Sequence, residues 1–428
     1  MNNSSAKQHL SWAWVPSLYF AEGIPYVVVM FVSSFFYKKM GISNIEIAFY
    51  TSLIYLPWVI KPLWSPFIDI IKTKRFWIIT MQFLIACSFI AISFAVHLSN
   101  YFPLTLLFFW LLAFASATHD IAADGFYMLA LNQSEQSFFV GIRSSFYRIA
   151  WIAGQGLLII IAGYLEKYTG SIPLAWSITF ASLGILFFIL MGYHKFSLPI
   201  SKFDFSVALN SSKKITAEFF NAFKLFFKKK DIGITITFLL IYRLGEAQLG
   251  KIAPLFFLDS KNVGGLGLST SQVGFAYGTI GIIALTFGGI LGGIITSKSG
   301  LKKWLWWMFA SINIPHILYI YLAYAQPSNY LIINLCVAGE QFGYGLGFTA
   351  YMLYMISVSD GEFKTAHYAI CTGFMALSMM IPGMFSGWFQ QLLGYKHFFI
   401  WVFITMIPGY FITRLIPLDV EFGKKKIN

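Results

Sequence analysis

The sequence predicts an all-α integral membrane protein whose twelve transmembrane helices form two six-helix bundles. Hydrophobic residues make up 58% of the 428 residues, and charged residues only 11%. Apolar runs of about 20 residues, the length that crosses a bilayer as a helix, recur along the chain. They fall six on each side of a polar stretch. A water-soluble fold cannot bury this many apolar side chains, so the composition excludes a soluble enzyme.

The predicted spans are bounded by charged or turn-forming residues. The first run, 12–36, is longer than the apolar core of a cleavable signal peptide and lacks a cleavage-site pattern, so we interpret it as the first span. The twelve spans predicted in this way are 12–36, 44–64, 76–97, 103–131, 138–165, 173–193, 232–258, 271–297, 303–325, 329–358, 365–392 and 397–416.

The distribution of lysine and arginine predicts the orientation of the chain. With a cytoplasmic N-terminus, nineteen of these basic residues fall in cytoplasmic segments and five in outside segments. The outside residues are Lys38, Lys39, Lys167, Lys261 and Lys396. This imbalance predicts that both termini are cytoplasmic. Because the positive charge follows the loops, the net charge of +13 indicates membrane topology and not nucleic-acid binding.

The polar stretch between spans six and seven divides the chain. We predict an N-terminal bundle over residues 1–193, a cytoplasmic linker over 194–231, and a C-terminal bundle with a short cytoplasmic tail over 232–428. Within the linker, "KKITAEFFNAFKLFFKKKD" alternates Phe-rich and Lys-rich positions. This pattern favours an amphipathic helix lying on the inner leaflet, and a solvated connector remains the alternative.

Short motifs repeat between the two halves. "YFAEGIPY" in span one places Glu22 shortly after Tyr19, and "YRLGEAQLG" in span seven places Glu246 shortly after Tyr242. The basic turns "SPFIDIIKTKRFW" and "TSKSGLKKWLW" follow spans two and eight, which are equivalent positions. Together with the twelve spans, these repeats indicate a major facilitator architecture, in which substrate binds near the midplane between two halves.

Span four carries three ionisable residues in "ASATHDIAADGFYMLA". Asp120 and Asp124 are four residues apart and share a helix face, with His119 beside them. Two carboxylates on one face need a shared proton or a facing cation. Arg143 and Arg148 on span five are the cations nearest in sequence. A structural salt bridge between Asp124 and Arg143 and a proton-pathway role for Asp120 both follow from this arrangement.

Spans one and seven carry further charges at bilayer depth, where an ionisable group is costly and is usually functional. Glu22 lies in "EGIP", which we expect to break the helix, so that Glu22 lines a central cavity or pairs with Lys61. Arg243 and Glu246 either neutralise each other or leave Arg243 to bind an anionic substrate. The candidates for proton coupling are Glu22, Asp120 and Asp124. The candidates for substrate binding are Tyr19, Glu22, His119, Arg143, Arg243, Glu246 and Glu340.

Three stretches together resemble the AmpG-type permeases, a major facilitator branch that also includes acetyl-CoA transporters. They are "YLPWVIKPLWSPFID", "ATHDIAADGFYMLAL" and "TAHYAICTGFMALSMMIPGMFSGWFQQLLGY". The resemblance runs through essentially all twelve spans. It implies proton-coupled import of anhydro-muropeptides, which are anionic cell-wall fragments, across the inner membrane of a Gram-negative bacterium.

The resemblance also assigns residues. The family's acidic stretch falls on Asp120 and Asp124, and this chain has His119 where the family usually has Gln. Gly125 and Phe126 replace the family's alanine and charged residue after the second acid. The family's turn and basic loop fall on Lys61, Pro62, Trp64, Pro66, Lys74 and Arg75. The gating or structural candidates are Lys61, Asp69, Lys74, Arg75 and Arg148.

The residues favour a secondary transporter driven by the proton gradient, because the sequence has no phosphate-binding glycine loop and offers intramembrane carboxylates as coupling sites. No cofactor, metal or catalytic residue is expected. One alternative is a carrier for another solute, such as a sugar, a peptide or an acyl-CoA. Another is an intramembrane prenyltransferase-like enzyme, but such an enzyme generally needs a second acidic cluster for Mg²⁺.

Overall fold

A computed structural model describes residues 2–200, 217 and 220–424, without the side chains of 2–10, 69–70, 133–134 and 137. The described residues contain no β-strand, which confirms the all-α prediction. The helices before residue 200 are α1 (Asn2–Val27), α2 (Ser33–Lys39), α3 (Asn44–Leu53), α4 (Leu56–Ile70), α5 (Lys74–Ala95), α6 (Tyr101–Ala130), α7 (Gln133–Ile152), α8 (Ile159–Thr169) and α9 (Ile172–Ser197).

The helices after the linker continue this series. They are α10 (Ile232–Ile241), α11 (Leu244–Leu258), α12 (Thr270–Val273), α13 (Ile282–Ser299), α14 (Leu301–Asn313), α15 (Ile317–Ala325), α16 (Tyr330–Ser359), α17 (Lys364–Ile404) and α18 (Met406–Leu415). Three π-helical segments join consecutive helices within single spans: Val28–Val32, Ala153–Leu158 and Gly274–Gly281.

Nine helical runs in the described part of the chain are long and apolar enough to cross a membrane. The run Lys364–Leu415 is 52 residues long and contains Gly394 at φ 67°, so it holds two of the predicted spans. The predicted second span is divided between α3 and α4, and each part alone is too short for a crossing. The 30-residue α16 is long enough but rich in glycine and polar residues. The described residues therefore accommodate the twelve predicted spans.

Polar caps explain where two of these helices begin. The Ser43 hydroxyl accepts a hydrogen bond from the Glu46 amide at 3.2 Å, and the Glu46 carboxylate accepts one from the Ser43 amide at 3.3 Å. Asn132 and Glu135 form the same reciprocal arrangement before α7. Each pair satisfies amide groups that a helix start leaves without partners.

The described residues divide into two compact units. The first takes Met1–Met40 and Leu63–Ala217, and the second takes Gly41–Pro62 and Glu218–Asn428. The apolar core of the first unit includes Trp14, Phe126 and Phe139. The core of the second unit lies around α10, α14 and α16. This division differs from the predicted halves in one segment, because 41–62 groups with the second unit.

Glycines on α17 explain why α3 packs there. A Cβ atom at Gly387 would lie 2.4 Å from the Asn44 carbonyl oxygen, and one at Gly383 would lie 2.5 Å from the Ser52 hydroxyl. The four-residue spacing of these glycines lets two helices approach closely. Packing therefore joins the second predicted span to the helix that carries span eleven.

The expected break at "EGIP" does not occur. Helix α1 continues through Glu22 and Pro25 to Val27, and the irregularity follows as the π-helical segment Val28–Val32. Pro25 removes one helical hydrogen bond without ending the helix, which a tightly packed span tolerates. Glu22 consequently lies on a regular helical turn.

The predicted linker is described only in part. Residues 201–216 and 218–219 lie outside the described residues, so the expected amphipathic helix there stays a prediction. Residues 220–227 are helical, and the Phe226 side chain is fully buried in the core of the second unit. A ring nitrogen of His367 lies 3.1 Å from the Ala222 carbonyl oxygen. The end of the linker is therefore attached to the second unit.

Candidate functional site

The first unit holds a cluster around Arg143. Its Nη1 atom donates to Asp124 Oδ1 at 3.0 Å and to the Tyr19 hydroxyl at 2.8 Å, while that hydroxyl donates to Asp124 Oδ1 at 2.9 Å. The guanidinium carbon lies 4.9 Å from the ring centroids of both Tyr19 and Tyr127. The ion-paired side chains are partly exposed, at 30% for Arg143 and 43% for Asp124. Spans one, four and five thus meet at one charged cluster.

Glu22 and Asp120 lie close to this cluster. Glu22 is 9% exposed and follows Tyr19 by three residues on α1, so both project from one helix face. Glu22 interacts electrostatically with Tyr19 and Arg143, and both Glu22 and Asp120 interact with Tyr147 on α7. All three proton-coupling candidates therefore belong to one electrostatic neighbourhood in the first unit.

The second unit holds a comparable cluster around Arg243. Its Nε atom donates to Glu246 Oε2 at 3.0 Å, and its Nη2 atom donates to the Tyr344 hydroxyl at 2.8 Å. The guanidinium carbon lies 4.7 Å from the Phe348 ring centroid and 5.7 Å from that of Tyr351. Only 5% of the Arg243 side chain and 9% of that of Glu246 are exposed. Glu246 thus neutralises Arg243, as one of the two interpretations from the sequence anticipated.

Glu340 differs from Glu246 in the groups that surround it. It is 2% exposed, and its Oε2 atom accepts hydrogen bonds from Gln341 Nε2 at 2.9 Å and from the Tyr319 hydroxyl at 3.5 Å. Both donors are neutral. Among the described residues no cation forms an ion pair with Glu340. A carboxyl group held by neutral donors can accept a proton without losing a salt bridge.

His119 points into a buried polar chain of the first unit. Its Nε2 atom lies 3.0 Å from Gln82 Nε2, which lies 2.9 Å from His194 Nδ1. His194 Nε2 in turn lies 2.9 Å from the Ser17 hydroxyl. His119 is 1% exposed, and Gln82 and His194 are fully buried. This geometry favours a packing role for His119, and its assignment to substrate binding stays a prediction.

Two basic candidates of the first unit make structural contacts. The Lys74 side chain is 7% exposed and passes over Gly125, where an added Cβ atom would lie 2.9 Å from Lys74 Cε. Arg75 donates to the carbonyl oxygens of Lys195 at 2.5 Å and Leu198 at 3.2 Å. Those carbonyls belong to the end of α9, where a helix leaves acceptors without partners.

The remaining gating or structural candidates are Lys61, Asp69 and Arg148. Lys61 is a partly exposed residue of α4, and the Asp69 side chain lies outside the described residues. Arg148 is exposed on α7, and no acidic side chain among the described residues forms an ion pair with it.

The structure also identifies polar residues that the sequence analysis did not assign to a site. Lys251 on α11 is 4% exposed, and its Nζ atom donates to the Thr51 hydroxyl at 3.1 Å and lies 5.1 Å from the Tyr55 ring centroid. An ionisable residue within a predicted span was a signal in the sequence. Its partners could not be read from the sequence, because Thr51 lies 200 residues earlier and Tyr55 lies close to Thr51.

A second unassigned group forms a polar latch of Asn44, Asp259, Gln390 and Tyr395 within the second unit. Asn44 Nδ2 donates to Gln390 Oε1 at 2.9 Å and to the Tyr395 hydroxyl at 3.0 Å. The Tyr395 hydroxyl donates to Asp259 Oδ2 at 2.5 Å. In the predicted orientation, all four residues lie at the outer ends of their spans. The polar latch therefore holds the first residue of α3 against α17.

Each unit thus presents an arginine that is paired with an acid, bonded to a tyrosine hydroxyl and packed on aromatic rings. Such a guanidinium can hold a carboxylate in a fixed orientation. Its acid partner can take up a proton when the ion pair between them breaks. The arrangement contains no activated nucleophile. Its chemistry is that of binding anions and protons.

Comparisons with known proteins agree with this architecture. The family model of the Major Facilitator Superfamily matches residues 17–381. The chain is 26% identical to the "Putative transporter AmpG 4" of Rickettsia conorii, over 94% of this chain and 95% of that protein. It is 22% identical to the anhydromuropeptide permease of Escherichia coli K12, over 96% of this chain and 80% of that protein. The crystal structure of a D-xylose-proton symporter superposes with a TM-score of 0.71 at 12% identity, covering 98% of this chain and 99% of that one.

Proposed function

This chain belongs to the major facilitator superfamily, and from that premise we propose that it imports an anionic cell-wall-derived sugar-peptide by proton-coupled alternating access. Membership makes the chain a multi-pass membrane transporter of small molecules and not an enzyme, so the prenyltransferase alternative is wrong. The substrate that we propose is an anhydro-muropeptide or a close chemical relative. The proposed location is a bacterial inner membrane with both termini cytoplasmic.

The substrate proposal depends most on one observation. Proteins named as AmpG transporters and as an anhydromuropeptide permease align with more than nine-tenths of this chain. The partly exposed Arg143 supports it, because a muropeptide carries carboxylates in its stem peptide that require cationic partners. A neutral sugar would not require this guanidinium.

Proton coupling is supported by the neighbourhood of Glu22, Asp120 and Asp124. A carboxylate at bilayer depth is costly unless it is paired or protonated. Protonation of Asp124 would weaken its bond to Arg143 and free the guanidinium for a substrate carboxylate. Binding and protonation would then be linked through one arginine, which is the essential requirement of a symporter.

The experiment is uptake by purified protein in proteoliposomes. Labelled anhydro-muropeptide is compared with a simple sugar, a dipeptide and an acyl-CoA, with protein-free vesicles as control. We expect accumulation of the anhydro-muropeptide alone. Selective uptake of one of the other three solutes would replace the proposed substrate by that solute.

Asp120→Asn provides the matched variant for coupling. We expect it to abolish uptake while the protein remains folded in the membrane, because the amide cannot carry a proton. Unchanged uptake by this variant would remove Asp120 from the pathway.

A further inference from the structure

Helix α7 carries an exposed polar face that the proposed function does not use. Gly141, Ser144, Ser145 and Arg148 are all exposed. With 3.6 residues per turn, these four positions fall within an arc of about 100° on the helix. The opposite side of α7 packs on α1, where a Cβ atom at Gly23 would lie 2.7 Å from the Ala150 side chain. The polar face is therefore turned away from the core of the first unit.

Arg148 is distinguished from Arg143 by what surrounds it. Arg143 is bound by Asp124 and Tyr19 and packs on two aromatic rings. In the described part of the chain, no carboxylate forms an ion pair with Arg148. Its guanidinium therefore keeps its donors available for another partner.

The position of Arg148 argues against contact with lipid. It lies ten residues into the candidate span Phe138–Thr169, about 15 Å along the helix from the start of that run. Charged residues at that depth face a water-filled cavity or protein, because acyl chains cannot solvate them. The neighbouring face of α7 presents Phe138 and Ile149, which are 52% and 45% exposed and suit a lipid contact.

We propose that Arg148 binds a second carboxylate of the transported molecule, in addition to the carboxylate that Arg143 would bind. The guanidinium offers two parallel N–H donors that match the two oxygens of a carboxylate. Gly141 has nothing within 4 Å of its Cβ position, so the face has room for a ligand. The hydroxyls of Ser144 and Ser145 donate to the carbonyl oxygens of Val140 and Gly141 at 2.9 Å, which leaves the anion to Arg148. This inference rests on the proposed function, since it names a further group that recognises the same substrate.

The test compares two substrates in two variants. Uptake of anhydro-muropeptide and of the same compound with amidated stem-peptide carboxylates is measured for the wild type, Arg148→Gln and Arg148→Lys. We expect Arg148→Gln to raise the KM for the acid about tenfold and to leave the KM for the amide within about twofold. The KM of Arg148→Lys for the acid should lie between those of the wild type and Arg148→Gln, because lysine keeps the charge without the paired donors. Arg414→Gln, which removes an exposed arginine at the end of α18, is the control and should change neither KM.

Each outcome decides between the two proposals. If Arg148→Gln changes the KM for both compounds equally, or for neither, Arg148 does not bind the carboxylate and only this inference fails. If the wild type transports neither compound, the proposed function fails, and this inference fails with it. Selective loss of affinity for the acid supports both.

Discussion

At the scale of single residues, burial separates the two arginine pairs. Arg243 and Glu246 are almost completely buried, whereas Arg143 and Asp124 are partly exposed. Breaking a buried ion pair leaves an uncompensated charge and costs roughly 3–5 kcal/mol, whereas an exposed pair contributes about 0–1 kcal/mol. The second pair is therefore the better candidate for holding the fold, and the first is the better candidate for exchanging partners during transport.

We expect Glu246→Gln to destabilise the protein by roughly 3–5 kcal/mol and Asp124→Asn by about 1 kcal/mol or less. Each change removes the negative charge that faces an arginine and preserves the shape of the acidic side chain. The measurement is denaturant-induced unfolding of purified protein in detergent. Equal losses for the two variants would contradict the distinction drawn from burial.

For Glu340, we expect Glu340→Gln to unfold like the wild type and Glu340→Leu to lose about 1–3 kcal/mol. Glutamine keeps an acceptor oxygen for Tyr319 and Gln341, whereas leucine leaves both donors buried without a partner. The same unfolding assay measures both. If glutamine proves as damaging as leucine, the carboxylate needs its charge at this position, contrary to its neutral surroundings.

At the scale of helices, glycine contacts determine which helices touch. A Cβ atom at Gly288 on α13 would lie 2.1 Å from the Phe342 carbonyl oxygen, and one at Gly345 on α16 would lie 2.0 Å from the Leu285 carbonyl oxygen. The small-xxx-small spacing of Gly288 and Gly292 predicts this close packing. The backbones of α13 and α16 are therefore in direct contact.

Gly288→Leu should destabilise the protein by about 1–3 kcal/mol or more, because the backbone of α16 would have to move away. Gly293→Leu on the same helix is the matched control, since nothing lies within 4 Å of the Cβ position at Gly293. Unfolding temperatures of the two variants in detergent give the comparison. Similar temperatures would show that this helix contact is not tight.

The polar latch leads to a prediction about movement. Asn44 groups with the second unit in this structure, but it belongs to the N-terminal bundle predicted from the sequence. Alternating access moves the two predicted bundles against each other, so we expect Asn44 to separate from Gln390 during the cycle. In a variant without the native cysteines, Cys87, Cys336 and Cys371, the pair Asn44→Cys and Gln390→Cys should form a disulfide that blocks uptake. Reduction should restore uptake. Full uptake by the cross-linked protein would show that the polar latch does not open.

At the scale of the whole molecule, the sequence predicted the spans better than it predicted their contacts. Apolar length determines a transmembrane helix locally, so the twelve spans could be inferred from the residues alone. The family was inferred from the resemblance of three stretches of sequence. The pairing of Arg143 with Asp124 could also be inferred from the sequence, because a short turn joins their helices. The grouping of 41–62 with the second unit was not predicted, although Gly383 and Gly387 carried a readable packing signal.

Other features depend on which way a side chain points. His119 is next to Asp120 in the sequence, but its ring contacts Gln82 and belongs to a chain that reaches His194. Lys251 meets Thr51 across 200 residues of sequence. Such contacts depend on how each helix is rotated about its axis and on which helices it packs against. Both are set by packing over the whole fold and not by local composition.

The central claim is that intramembrane carboxylates couple the entry of an anionic sugar-peptide to the entry of protons. The most direct measurement is the pH inside proteoliposomes while anhydro-muropeptide is added outside. We expect acidification that begins when the substrate is added, requires the protein and is lost in Asp120→Asn. Substrate accumulation that continues without proton entry after the pH gradient is collapsed would contradict it.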